Sequence, residues 1–202
     1  MFFRLLGHCF SVCVLMVSAA QAAVVLQIDL STVNQVTISA TTGSSLASVS
    51  GSDRRGVYLK DFFAPGGSEI DLDAGLGASL VYFNATSDEL PGIHRKTNDP
   101  GLNIYDMDDA QVPASFTSGV QAFKGSATWS LTAQQYAVFL QAPTSGDIYA
   151  FADSIDDLDG GPQLIGQYSV GSSAAVPEPT SMAIFGLGAL GMAYRARRKC
   201  MV

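Results

Sequence analysis

Short runs in which hydrophobic and polar residues alternate cover much of the chain between residues 25 and 170. Alternation with a period of two is typical of β-strands that have one face buried. These runs are rich in β-branched and aromatic residues, and clusters of Gly, Ser, Asn, Asp and Pro separate them. We predict strands over Val25–Leu30, Gln35–Thr41, Gly56–Phe63, Ala78–Thr86, Ser126–Leu131, Gly146–Ala152 and Gln163–Val170. Many short strands of this kind predict a mainly β fold, an antiparallel β-sandwich or jelly roll.

One segment has the pattern of a helix instead. Thr132 precedes Ala133-Gln134-Gln135, which is the spacing of a capping box, in which the Thr and the second Gln bond to each other's backbone. The segment runs to about Leu140, shortly before Pro143. We therefore predict one short helix that covers an edge or an end of the β-sheet structure.

The N-terminal residues have the three parts of a secretory signal peptide. Arg4 supplies a positive charge, Phe10–Val17 is an apolar stretch, and Ala20 and Ala22 form a small-x-small cleavage site. We predict a signal helix within residues 1–22 and a mature chain that begins at Ala23.

The C-terminal residues have the pattern of a short membrane anchor. Thr180–Tyr194 carries no charge, and a basic cluster follows it at once: Arg195, Arg197, Arg198 and Lys199. As a helix the apolar stretch spans roughly 22 Å, which is less than the bilayer core of about 30 Å. We predict a marginal transmembrane helix over residues 180–194 and a cytoplasmic basic tail over 195–202 that acts as the membrane stop.

Val176-Pro177-Glu178-Pro179, the apolar span and the basic cluster follow one another at the end of the chain. In this order they resemble the PEP-CTERM sorting signal. The resemblance implies export by Sec-type machinery of a Gram-negative-type bacterium and a transient stay in the inner membrane. It further implies recognition of the Pro-Glu-Pro motif by an exosortase-type processing enzyme, and an association with exopolysaccharide and biofilm. It covers only the tail and does not identify the domain that is sorted.

The charge and cysteine content of the central domain, residues 23–175, exclude some classes of function. Residues 23–175 contain 17 acidic and six basic side chains, so their net charge is −11. Such a charge makes nucleic acids and anionic membrane surfaces poor partners. Cys9, Cys13 and Cys200 all lie in the terminal segments, so a disulfide is not expected in the mature domain.

Enzymatic chemistry has few candidate residues in this domain. His94 is its one histidine, in a polar segment over residues 90–100 that we read as a solvated loop, and it contains no cysteine. These facts exclude a thiol nucleophile and a multi-histidine zinc site. A glycosidase needs a carboxylate pair, for which Glu69 and Glu89 are the only glutamates, so aspartates would have to contribute.

A group of acidic residues precedes Gly160-Gly161: Asp153, Asp156, Asp157 and Asp159. Two interpretations stay open for it. Carboxylate oxygens in a glycine-containing loop suit Ca²⁺, which would then have a structural role, but the spacing does not fit an EF-hand. A solvated acidic turn, relieved by water and salt, is the alternative. No other cofactor is expected.

Four aromatic residues also allow two interpretations: Trp129, Tyr136, Tyr149 and Phe151. They are either part of the hydrophobic core or an exposed platform on which a sugar stacks.

From these patterns we expect a signal peptide (1–22), an exported β-sandwich domain (23–171), a linker with the Pro-Glu-Pro motif (172–179) and the anchor with its tail. The expected function is that of a cell-surface or extracellular-matrix structural protein without catalytic activity. A carbohydrate-binding module for exopolysaccharide is the alternative, and a glycosidase is a distant third.

Overall fold

The computed structural model describes residues 23–75, 78–82, 91–106 and 113–171. The strands in these ranges are β1 (Val24–Asp29), β2 (Gln35–Ala40), β3 (Val49–Ser52), β4 (Val57–Leu59), β5 (Ile70–Asp73), β6 (Val81–Tyr82), β7 (Pro91–Arg95), β8 (Leu102–Asp106), β9 (Pro113–Phe116), β10 (Phe123–Lys124), β11 (Ser126–Ser130), β12 (Ser145–Ala150) and β13 (Leu164–Val170). An α-helix, α1 (Ala133–Phe139), and a 3₁₀ helix (Ile155–Gly160) complete the described part. The prediction of a mainly β fold with one short α-helix is confirmed.

Most strands belong to one nine-stranded sheet with the order β11-β2-β1-β13-β12-β4-β8-β7-β5, while β10 pairs with β6 and β3 pairs with β9. Neighbours in the large sheet are antiparallel except β1 and β13, which run parallel. The prediction of a purely antiparallel arrangement is therefore wrong at this pair. The reason is that side-chain alternation is the same in both strand directions, so it cannot reveal which way two distant strands run.

The two edges of this sheet meet. The segment that follows β5 runs beside β11, where the Gly75 N–H donates to the Thr128 carbonyl at 3.0 Å and the Ser79 N–H donates to the Ser126 carbonyl at 2.7 Å. The indole N–H of Trp129 on β11 also donates to the carbonyl of Pro91 on β7, at 3.3 Å. These bonds give the sheet a barrel-like shape and satisfy backbone groups that an open edge would expose.

The hydrophobic core lies under α1 and contains a group of aromatic rings. The Phe62 ring centroid lies 5.5 Å from that of Phe139 and 5.4 Å from that of Tyr168, and Phe63 contacts Phe139 edge to face at 5.2 Å. Phe139 is the buried residue of α1. Burying one such ring contributes roughly 1.5–3 kcal/mol, so Phe139 is a main contact between the helix and the sheet, beside the partly buried Tyr136 and Val138.

The capping box at the start of α1 is confirmed. The Thr132 hydroxyl accepts a hydrogen bond from the Gln135 N–H at 3.2 Å, and the Gln135 side-chain oxygen accepts one from the Thr132 N–H at 2.9 Å. The helix ends at Phe139, and Leu140 is its C-cap.

Among the described residues, the strand predictions succeeded for most of the longer strands and missed six strands of two to five residues. The predictions that include β1, β2, β11, β12 and β13 are confirmed within one or two residues. The predicted strand over Gly56–Phe63 is shortened to β4, because Asp61 has a positive φ of 54° that ends the extended chain. Only β6 is a strand in the described part of the predicted Ala78–Thr86 run. Strands β3, β5, β7, β8, β9 and β10 were not predicted.

The predicted signal peptide, linker, transmembrane helix and basic tail, at residues 1–22 and 172–202, lie outside the described residues. Within the described ranges, every helix is too short or too polar to cross a membrane.

Candidate functional site

His94 lies on a strand rather than in the predicted solvated loop. It belongs to β7, which pairs with β5 on one side and β8 on the other. Its side chain is 28% exposed, and Nε2 lies 3.4 Å from Oε1 of Glu69. The loop interpretation was wrong because Pro91-Gly92 and the charges after His94 hide the strand pattern.

Arg95, the next residue, is buried although it is charged, with 3% of its surface exposed. Its Nε donates to the Asp99 carbonyl at 2.9 Å, and its Nη2 donates to the carbonyls of Ala64, at 3.0 Å, and Gly66. The guanidinium also lies over the Phe63 ring, with 4.4 Å from Cζ to the ring centroid. Burial lowers the pKa of Arg95 below its usual value, and the nearby Asp99 carboxylate opposes that shift.

The Asp99 carboxylate is buried as well and joins three segments. Its Oδ1 accepts from the Tyr58 hydroxyl at 2.5 Å and from the Gly101 N–H at 2.7 Å, and its Oδ2 accepts from the Ile155 N–H at 2.9 Å. Burial, followed by the bond to this carboxylate, raises the pKa of Tyr58 far above its usual range. With Arg95, this network connects β4, the turn between β7 and β8, and the 3₁₀ helix.

A pocket with a volume of about 340 Å³ lies beside Arg95, where the loop before β5 faces the first turns of α1. Its lining residues come from three separate parts of the chain: Gly67, Ser68, Glu69, Ile70, Arg95, Thr132, Gln134, Gln135 and Val138. Sequence reasoning missed this pocket. The capping box indicated where Gln135 would lie, but no local signal placed Arg95 or Glu69 beside it.

Of the acidic residues after β12, Asp156, Asp157 and Asp159 lie in the 3₁₀ helix, and Asp153 precedes its N-cap, Ser154. Oδ2 of Asp157 accepts from the Asp153 N–H at 3.0 Å, and Oδ2 of Asp156 lies 3.6 Å from Nζ of Lys96. Within the described ranges, no three His, Cys, Asp or Glu side chains are grouped closely enough to hold a metal ion. Calcium binding at Asp153, Asp156, Asp157 and Asp159 therefore stays a prediction, without support from the geometry of these residues.

The four aromatic residues considered as a sugar platform are all at least partly buried. Trp129 is fully buried, and the Tyr136 hydroxyl donates to the Leu30 carbonyl at 2.6 Å. Phe151 is half-buried and lies 5.8 Å from Phe116, centroid to centroid, and Tyr149 is half-buried on β12. Among the described residues, the large hydrophobic side chains that are exposed are Val33, Leu46 and Leu140, and none of them is aromatic.

Comparison with known protein families gives a match at the C-terminal end of the chain. Residues 175–199 match the PEP-CTERM protein-sorting motif, which confirms the resemblance drawn from the sequence. This motif is the signal of exported proteins that an exosortase processes, so the chain has the sorting signal of an exosortase-sorted protein. Neither the curated proteins nor the solved structures contain a significant match to the chain.

Proposed function

We propose that this protein is an exosortase-sorted component of the cell surface or extracellular matrix, with a structural role and without catalytic activity. The sorting motif at residues 175–199 supports the destination. The net charge of −11 over residues 23–175 agrees with a soluble, exposed body that does not bind nucleic acid.

The observation that carries the structural role is the position of the last strand. β13 ends at Val170 and lies between β1 and β12 in the middle of the large sheet. Pairing continues to the next residue, because the Gly171 N–H donates to the Ile28 carbonyl at 2.9 Å and Gln27 Nε2 donates to the Gly171 carbonyl at 2.8 Å. Only residues 172–174 separate Gly171 from the sorting motif. The tail is thus joined to a strand that has partners on both sides.

This connection decides how the body responds to tension on its C-terminus. β1 and β13 are parallel, so the start of β1 and the end of β13 lie at opposite ends of the pair, from Val24 opposite Gln167 to Ile28 opposite Val170. Tension along the strands loads these hydrogen bonds together, in shear, because the bonds run across the strand direction. A terminal edge strand would instead be lost from a sheet with only one row of bonds broken. Resistance to shear is a useful property in a tethered surface component.

Single-molecule pulling tests this role. The native cysteines all lie outside residues 23–171, so introduced cysteines define the points of attachment in a chain limited to residues 23–172. Ala23→Cys with Ser172→Cys loads β1 against β13 in shear. Ser145→Cys with Ser172→Cys opens the β12–β13 hairpin one pair at a time, because Ser145 lies opposite Ser169 at the same end. We expect an unfolding force about twofold higher in the first geometry, since forced unfolding follows the unfolding barrier. Equal forces would contradict the structural role.

A further inference from the structure

We propose that the pocket between the loop before β5 and α1 binds a neutral sugar unit of monosaccharide or disaccharide size. The proposal goes beyond the sorting and structural role and does not depend on it. Its basis is a set of polar side chains that line one small pocket, with Glu69 as the hydrogen-bond acceptor and Gln134 and Gln135 as donors.

Gln135 supplies donors whose orientation is fixed by the fold. Its side-chain oxygen accepts from both the backbone N–H and the hydroxyl of Thr132, at 2.9 and 3.0 Å. The capping box therefore assigns oxygen and nitrogen in this amide and leaves the NH₂ group outside the box. The NH₂ group has two donors for ligand hydroxyls. The exposed side chain of Gln134, also part of the lining, adds a second amide.

Glu69 supplies the acceptor on the opposite wall. Its carboxylate is 62% exposed and lies 3.4 Å from the His94 ring, on the neighbouring strand. A carboxylate accepts hydrogen bonds through two oxygens, so it can bind two adjacent hydroxyls of one sugar ring.

The charge at the pocket favours a neutral ligand. Among the described lining residues the cation is Arg95, but its guanidinium is already bonded to the carbonyls of Asp99, Ala64 and Gly66 and packed on Phe63. Its Nε and Nη2 donors are therefore occupied and do not form a bidentate fork for an anion. An anionic ligand would have to approach the exposed Glu69 carboxylate, which repels it.

Size and apolar contacts agree with a small sugar. The volume of about 340 Å³ is near the lower end of the range for ligand pockets. Ile70 and Val138 provide apolar surface for the C–H face of a ring, and the lining residues that the structure describes include no aromatic side chain on which a ring would stack. We therefore expect weak binding, in the millimolar range, that becomes useful when many copies contact one polymer.

Saturation-transfer NMR on the full chain tests the proposal, in a detergent without a sugar headgroup. The probes are the methyl glycosides of glucose, galactose and mannose, with glucuronate as the anionic probe. At least one neutral glycoside should receive saturation, and glucuronate should receive less. The proposal is overturned if no neutral glycoside receives saturation, or if glucuronate receives more than all of them.

Matched variants locate the site. Gln134→Ala removes an exposed amide from the pocket, whereas Gln141→Ala removes one just beyond the same helix, where its Nε2 bonds to the Ala137 carbonyl. Gln134→Ala and Glu69→Ala should each lower the saturation signal about threefold or more, and Gln141→Ala should leave it unchanged. Equal signals in the two glutamine variants would place binding elsewhere and overturn the proposal. Melting curves of each variant separate loss of binding from loss of fold. These residues are remote in sequence from 175–199, so sorting should not change.

Discussion

The body of the protein, residues 23–171, and its tail, residues 175–199, depend on the sequence in different ways. The body depends on contacts between distant residues, such as the bond from the Trp129 indole to the Pro91 carbonyl. The tail depends on the order of neighbouring residues: a Pro-Glu-Pro motif, an apolar span and a basic cluster. Changes in the body should therefore alter stability, whereas changes in the tail should alter recognition and leave stability as it is.

Removal of β13 should have the largest effect on the stability of the body. A chain ending at Pro162 loses the strand that pairs with both β1 and β12, and with it the buried Ile165 and Tyr168. We expect it to be unfolded by circular dichroism, because the sheet is then divided at its centre. A chain ending at Gly171 should melt within a few degrees of the full chain. If the shorter chain melts cooperatively at a similar temperature, β13 is dispensable and the account of the body is wrong.

Substitution of Arg95 should have the next largest effect on stability, and substitution of its neighbour Lys96 should have little. Arg95→Met leaves the carbonyls of Ala64, Gly66 and Asp99 without their donors inside the protein, so we expect a loss of about 3 kcal/mol or more in the free energy of unfolding. Lys96→Met removes only an exposed ion pair with Asp156, which contributes about 0–1 kcal/mol. Urea titration measures both changes. Equal effects would show that the Arg95 network is not structural.

Alkaline pH should lower the stability of the body through two buried tyrosines, Tyr58 and Tyr168, and the partly buried Tyr105. Burial raises the pKa of Tyr105 to about 12 and those of Tyr58 and Tyr168 still further. A group whose pKa is higher in the folded state adds stability below its unfolded pKa and loses that contribution as pH rises. The melting temperature should therefore fall above pH of about 10, the tyrosine value in the unfolded chain. Tyr105→Phe should reduce the fall between about pH 10 and 12. A melting temperature that stays constant to pH of about 12 would contradict this burial.

The helix cap should have a smaller effect. Thr132→Ala removes the hydroxyl that accepts from the Gln135 N–H and should cost about 1 kcal/mol in the free energy of unfolding. Thr132→Ser keeps the hydroxyl and serves as the matched control, with little change expected. If the two variants unfold alike, the hydroxyl contributes nothing to the cap.

Features of the fold that arise from residues close together in the sequence could be predicted, whereas features that arise from distant residues could not. The capping box of Thr132 and Gln135 was predicted because both partners lie within one turn. Strands β1, β2 and β11 were predicted because alternation is uninterrupted in them. β7 was missed because Pro91 and Gly92 break the pattern, and the parallel pairing of β1 with β13 leaves no trace in either strand's composition.

Nonlocal causes also explain what was missed at the candidate site. Arg95 and Lys96 have nearly the same neighbours in sequence, and only tertiary contacts bury the first and expose the second. The pocket joins the loop before β5, β7 and α1, so no single segment indicates it. The tail is the opposite case, since its signal is complete within residues 175–199.

Replacement of Pro177, Glu178 and Pro179 by alanine tests the central claim most directly. The experiment follows the full chain in a bacterium that has an exosortase, with Ser172→Ala/Ser173→Ala in the linker as the control. Cell fractions and intact mass are measured. The unchanged chain and the control should leave the inner membrane and lose the basic tail, while the alanine variant should keep the tail, remain in the inner membrane and unfold at the same temperature. If all three chains show the same mass and the same distribution, the chain is not sorted through this motif.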